Sequence, residues 1–164
     1  ASMAVQAIDV TLAQALGYSF PGTATNPTED AALVNSVVDR ANGAATSPYD
    51  AAGHVYTVVS APNTPYPHAT ATLWGAVGGD DKVDLGLGGY KYLLVKYDGE
   101  NGTAQIWDVA GMTGEVGVPA RDTENKTSNN YTLFGAVTVP DGGSTLALTG
   151  IGLLALGLLR WKTS

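Results

Sequence analysis

The sequence predicts a mainly β protein: an antiparallel β-sandwich or barrel-like domain with one short helix near the N-terminus, plus a C-terminal hydrophobic helix. Three observations carry that expectation. Short runs rich in β-branched and aromatic residues alternate with polar ones and are punctuated by Gly, Pro, Asn and Asp, the pattern of strands and turns. A single well-capped run, with Leu33, Val34, Val37 and Val38, places its apolar residues at helical spacing. From Ser144 to Leu159 no charge interrupts 16 residues. As a helix such a run would extend roughly 24 Å, near the lower limit for a bilayer core of about 30 Å. The chain accordingly divides into an N-terminal apolar segment and loop (1–25), a β-rich domain (26–139), a short linker (140–143) and the hydrophobic helix with its basic end (144–164).

Taken in order, residues 4–16 fit either a helical stripe (Val5, Ile8, Leu12, Ala15, Leu16) or a strand (Ile8, Val10, Leu12), suited to an added strand or a helix in an assembly. Ala4-Val5-Gln6-Ala7 has the small residues of a signal-peptide end, and residue 1 is expected close to a mature start. Gly17 to Pro27 is turn-rich and expected as a loop. Asn26 suits an N-cap, Pro27 the first turn, and Glu29 and Asp30 the positive end of the helix dipole; Asn42-Gly43 ends the helix. Strands are expected over residues 54–61, 70–77, 82–87, 90–97, 103–110, 114–118 and 131–139. The clearest is 90–97, with Tyr92, Leu94 and Lys96 on one face and Leu93, Val95 and Tyr97 on the other. Asp98-Gly99-Glu100-Asn101-Gly102 reads as a hairpin loop, and Arg121 to Asn130 as a surface loop.

The composition excludes some functions. Eight Lys and Arg face 15 Asp and Glu. Without Arg160 and Lys162 in the tail, the six remaining cations leave a formal charge of −9 on the body, which repels phosphate backbones, so no nucleic-acid partner is expected. Cysteine is absent, which removes disulfides and thiolate metal sites. Abundant Gly, Thr and Asn with little Lys or Glu give a β-rich, secreted character.

The tail is the most specific feature. Val139-Pro140-Asp141-Gly142-Gly143 precedes Ser144-Thr145-Leu146-Ala147-Leu148, then a Gly-studded apolar run, then Arg160-Trp161-Lys162. This order resembles the PEP-CTERM class of bacterial C-terminal sorting signals, and looks most like its VPDSG-type variant. It departs from the commonest form in having Asp141-Gly142 where Glu-Pro is usual, and in ending on two cations. Asn26-Pro27-Thr28-Glu29-Asp30 and the stretch from Tyr92 through Trp107 look similar, more loosely, to the bodies of such exported proteins. The resemblance implies export through the inner membrane, handling by an exosortase-type membrane transpeptidase and a place on the cell surface or in the extracellular matrix. It implies no catalytic residue. From the residues themselves, Arg160, Trp161 and Lys162 suit an interfacial anchor. Ala147, Gly150, Gly152, Ala155 and Gly157 suit close helix packing, against copies or in lipid.

Signals for chemistry are sparse. His54 and His68 are isolated, and no Gly-x-Ser-x-Gly nucleophile turn occurs, so no enzyme is expected. Asp80, Asp81 and Asp84 share a Gly-rich turn and are weak calcium candidates, with Asp98, Glu100 and Asn101 a second; neither has EF-hand spacing, and solvated turns explain both. No other cofactor is expected. Tyr66, Trp74, Tyr90, Tyr92, Tyr97 and Trp107 lie in or beside strands and suit sugar stacking where exposed, although Trp74 and Trp107 are expected in the core. The expected function is a non-enzymatic bacterial surface or matrix structural protein, anchored or self-assembled through its tail, with a homo-oligomer or polymer such as a filament or tube as its product. The alternative is a carbohydrate-binding β-sandwich module with polysaccharide as partner and the tail as a temporary address.

Overall fold

In the computed structural model, residues 8–10, 14–22, 26–78, 80–97, 102–122 and 125–136 are described. The helix forms as its sequence dictates. Asn26 Oδ1 accepts from the backbone N–H groups of Thr28 and Glu29 at 3.0 Å each, and α1 then runs Pro27–Ala41. Gly43, at φ +96°, takes the left-handed conformation beyond the C-cap that a side chain would disfavour. The stripe Leu33, Val34, Val37, Val38 and Ala41 is buried.

Among the described residues nine strands follow in order: β1 Ile8–Asp9, β2 Ala15–Phe20, β3 Val55–Val58, β4 Ala69–Ala76, β5 Lys82–Asp84, β6 Tyr92–Tyr97, β7 Ala104–Asp108, β8 Glu115–Gly117 and β9 Ser128–Ala136. Six of them form an antiparallel sheet in the order β3-β2-β7-β6-β9-β4. The other three form a small sheet, β1-β8-β5. Helix α1 contacts β2 and β9 and both edge strands, β3 and β4, so the large sheet curls around it. One core lies between helix and sheet, where Leu33, Val34 and Val37 meet Leu16, Leu94, Ile106 and Phe134. The second lies on the opposite face, where Val83, Val116 and Val118 meet Leu93, Val95, Trp107 and Leu133. Strand β6 is therefore buried on both sides, which explains its nearly continuous apolar sequence.

The third residue of the helix-facing row on β6 is Lys96, and the structure accounts for it. Its Nζ lies 3.0 Å from Asp30 Oδ1, a carboxylate with no solvent exposure, and Thr132 Oγ1 donates to Asp30 Oδ2 at 2.7 Å. Asp30 thus does more than favour the helix dipole: it ties the first turn of α1 to β6 and β9.

Along the same helix, three polar residues close the curl. Asn35 accepts from the backbone N–H of Ala69 (2.7 Å) and donates to its carbonyl (3.2 Å). Asn42 accepts from Tyr66 N–H (2.7 Å) and donates to the Tyr66 carbonyl (2.9 Å). Between them, Asp39 Oδ1 lies 2.6 Å from His68 Nε2. Spaced four and three residues apart, these side chains sit on one helix face. Asn35 and Asn42 serve the backbone of the segment leading into edge strand β4 as a neighbouring strand would, and Asp39 holds the His68 side chain between them.

Several expectations need correction. Residues 17–20, expected as loop, belong to β2, deep in the large sheet. Gly17 is there because the chain passes close to the helix: a Cβ would stand 2.7 Å from Val37 Cγ1 and collide with the Thr57 carbonyl. Residues 128–130, also expected as loop, open β9, and Arg121 bridges Thr127. The small sheet is mixed, since β1 runs parallel to β8. The fold is thus a curled sheet with a helix on one face and a second small sheet on the other. The expected C-terminal hydrophobic helix lies outside the described residues. Among those residues no helix is long and apolar enough to cross a membrane.

Candidate functional site

The residues singled out in the sequence fall into three groups. The first is the acidic turn before β5. Asp80 pairs with Lys82 at 2.8 Å, and that exposed ammonium holds the Asp80 carboxyl below its ordinary range. Asp81, in the left-handed region at φ +55°, accepts from Ser128 Oγ at 2.7 Å. Asp84 accepts from Gly86 N–H at 2.7 Å. Each carboxylate thus holds a turn. Among the described residues no group of three His, Asp or Glu side chains gathers as a metal ion would need. The second candidate turn, Asp98, Glu100 and Asn101, lies outside the described residues.

The second group surrounds the end of α1. Asp39 is bonded on one oxygen to His68 and on the other to Ser47 Oγ, at 2.6 Å in both cases. The carboxylate lies between serine and imidazole, whereas a serine nucleophile needs the imidazole against its own hydroxyl. The cluster works as a clasp for the loops on either side. Beside it, Arg40 grips Asp50 through two bonds of 2.6 and 2.8 Å, and Asp50 also accepts from Ser47 N–H. The Arg40 guanidinium lowers the Asp50 carboxyl to about 2. A carboxylate with a lowered folded value stabilises the fold above its unfolded value, about 4, and that contribution disappears as pH falls through about 2. Because the pair is partly exposed and screened, Asp50→Asn should cost only about 1 kcal/mol at pH 7. The melting-temperature difference from wild type should shrink from about pH 4 downward and close below about pH 2, and a difference as large at pH 2 as at pH 7 would refute this account.

The aromatics form the third group. Tyr92, Tyr97 and Trp107 are buried, and Tyr66 and Tyr90 pack against the two cores. Burial raises the Tyr92 and Tyr97 hydroxyls far above the ordinary phenol range, and each hydroxyl donates to a backbone carbonyl, Pro67 and Pro119 respectively. Trp107 is in the core as expected. Trp74 is not: at 55% exposure it stands on β4, opposite Thr132, at the edge of the large sheet with β9 as its one neighbour among the described strands. Three exposed aromatics escaped the sequence reading: Tyr49 in the loop after α1, and Tyr18 and Phe20 on β2. The alternation of the latter two with buried Ser19 was the available signal, masked by Gly17, Pro21 and Gly22. In register with them on β3 are Thr57 and the exposed Val55, and Val59 is exposed just beyond. Beside Tyr18, on the β7 side, lies Gln105.

This strip belongs to the same face of the large sheet that the small sheet covers elsewhere. A cavity of about 170 Å³ opens there, lined by Ala15, Tyr18, Val59, Gln105 and Trp107 among others. The strip carries no charge, although the chain as a whole is at −7.

The remaining sequence-marked residues lie outside the described ones: the motif Val139, Pro140, Asp141, Gly142 and Gly143, the small residues Ala147, Gly150, Gly152, Ala155 and Gly157, and the end Arg160, Trp161 and Lys162. Comparison with known families bears on them directly. Residues 138–162 match the family model of the VPDSG-CTERM motif, a PEP-CTERM-like C-terminal sorting signal. No curated protein and no solved structure matches the chain.

Proposed function

From the premise that residues 138–162 are a VPDSG-CTERM sorting signal, which marks an exported protein that is processed and anchored at the cell surface and implies an exosortase-type processing system, we propose that the β body is a non-enzymatic structural protein of the bacterial surface or extracellular matrix. Anchoring, or assembly into a filament or tube, runs through the hydrophobic tail. The sorting signal is the observation that carries this reading. The body supports it: the carboxylates of Asp30, Asp39, Asp50 and Asp81 each fasten one part of the fold to another. Processing and polymerisation compete for the same tail, because a tail removed by cleavage no longer packs against copies.

Fractionation with intact-mass measurement tests both halves. In a host with the processing system, the full chain should appear at the surface with a mass short of the tail, and a variant lacking residues 138–164 should lose surface attachment. Equal surface attachment of the two would sink the anchoring route. Sedimentation of uncleaved protein addresses assembly, since polymers that persist without the tail would show that the tail does not build them.

A second reading, a glycan-binding module, is favoured by one observation: aromatic rings at Tyr18, Phe20 and Trp74 stand exposed on strands.

A further inference from the structure

The strip over β2, β3 and β7 combines features that point to one kind of occupant. Tyr18 and Phe20 sit two residues apart on the same side of β2, so their rings follow one another along the strand. Beside them the surface is apolar, through Val55 and Val59, and it dips into the cavity of about 170 Å³ that reaches Trp107. Trp107, at 3% exposure, forms the inner wall and packs into the core behind it. Polar groups come from Tyr18 and Gln105, which line the cavity, and from Thr57, which stands opposite Tyr18 on β3. Small-ligand sites are built this way, apolar walls with a few convergent polar groups that fix orientation. A sugar ring presents the complement, an apolar C–H face for aromatic carbon and equatorial hydroxyls for amide and hydroxyl partners. The cavity has room for a single ring, and the strand carries the next ring along Phe20.

We propose that this face binds a neutral polysaccharide, one ring seated over Trp107 against Tyr18 and Gln105 and the chain continuing past Phe20. The proposal deepens the glycan-binding reading above and rests on it. The structural reading stands or falls separately, by the fractionation experiment. The sign of charge selects the class. The strip is uncharged and the body is strongly acidic, so uronate-rich or sulfated polymers are repelled while neutral glucans, mannans or xylans are not.

The test is affinity electrophoresis of the full chain in detergent, through gels that contain β-glucan, galactomannan, xylan or, as an anionic control, alginate. At least one neutral polymer should retard the protein and alginate should not. Tyr18→Ala and Gln105→Ala should each weaken that retardation about tenfold, a loss on the scale of one aromatic contact for the first and one hydrogen bond for the second. In a Trp74→Phe, Trp161→Phe background the Trp107 emission should shift on addition of oligosaccharide from the retarding polymer. Both variants change side chains at the surface, and unchanged melting temperatures verify that they fold. Absence of retardation by every neutral polymer overturns the proposal. Retardation that survives both variants, or that disappears instead with Trp74→Ala, places binding elsewhere and overturns it too. A protein that binds no polymer yet sediments as a dimer, and as a monomer after Tyr18→Ala, would show that a second copy covers the strip.

Discussion

Replacing Lys96 with alanine is expected to cost about 3–5 kcal/mol of folding stability, the penalty for leaving a buried charge without its partner. At about 2–4 °C per kcal/mol in a chain of this size, the melting temperature should fall by on the order of 10 °C. The argument rests on where the partner lies. Asp30 has no exposed surface, and its two oxygens are taken by Lys96 and Thr132. Without the ammonium, the carboxylate keeps one hydroxyl bond from Thr132 in a layer otherwise made of Leu33, Val34, Leu94 and Phe134. Asp30→Ala should also be harmful, since it removes the buried carboxylate that both the Lys96 ammonium and the Thr132 hydroxyl bond. The double replacement Asp30→Leu with Lys96→Met should recover most of the loss, because an apolar pair of similar volume removes the desolvation cost along with the attraction. Thermal unfolding of wild type, Asp30→Leu, Lys96→Met and the double variant forms a cycle, and a Lys96→Ala loss below about 1 kcal/mol would show that the pair is open to water.

That ion pair also marks the limit of what the sequence made legible. Helix α1 and strands β6 and β7 were readable because their signals are local: Asn26-Pro27 opens the helix, Leu33, Val34, Val37 and Val38 set its period, and residues 92–97 alternate around a hairpin loop. The sequence assigned Tyr92, Leu94 and Lys96 to one face, yet why a lysine belongs there depends on Asp30, 66 residues away. Strand β2 was hidden for a related reason. Its glycine reads as a turn residue, but at Gly17 it records the nearness of Val37 and Thr57, which no local pattern announces. Trp74 was expected in the core by its size, and an edge position with one neighbouring strand overrode that preference. The sorting signal was legible from the order of its parts alone, whereas the Tyr18–Phe20 face became visible only once β3 and β7 were set beside β2.

Asn35→Ala is the second substitution with a large expected effect, about 2–4 kcal/mol, because it removes the partner of two backbone groups at a buried position. Asn35 and Ala69 are each only 5% exposed. The Ala69 N–H and carbonyl that bond to Asn35 point away from β9, along the outer edge of β4, where a further strand would otherwise sit. The carboxamide supplies one donor and one acceptor and so imitates that strand. Asn35→Asp should fare no better, since a carboxylate can receive the N–H but cannot give a proton to the carbonyl. Chemical denaturation measures the loss, and amide exchange localises it: the Ala69 amide should lose its protection well before the amides of β6. A second consequence follows from the edge itself. An uncovered edge strand offers its unpaired groups to other chains, so the Asn35→Ala protein should also self-associate through β4 at concentrations where wild type does not. Full protection of the Ala69 amide in Asn35→Ala would show that the helix side chain is not what closes this edge.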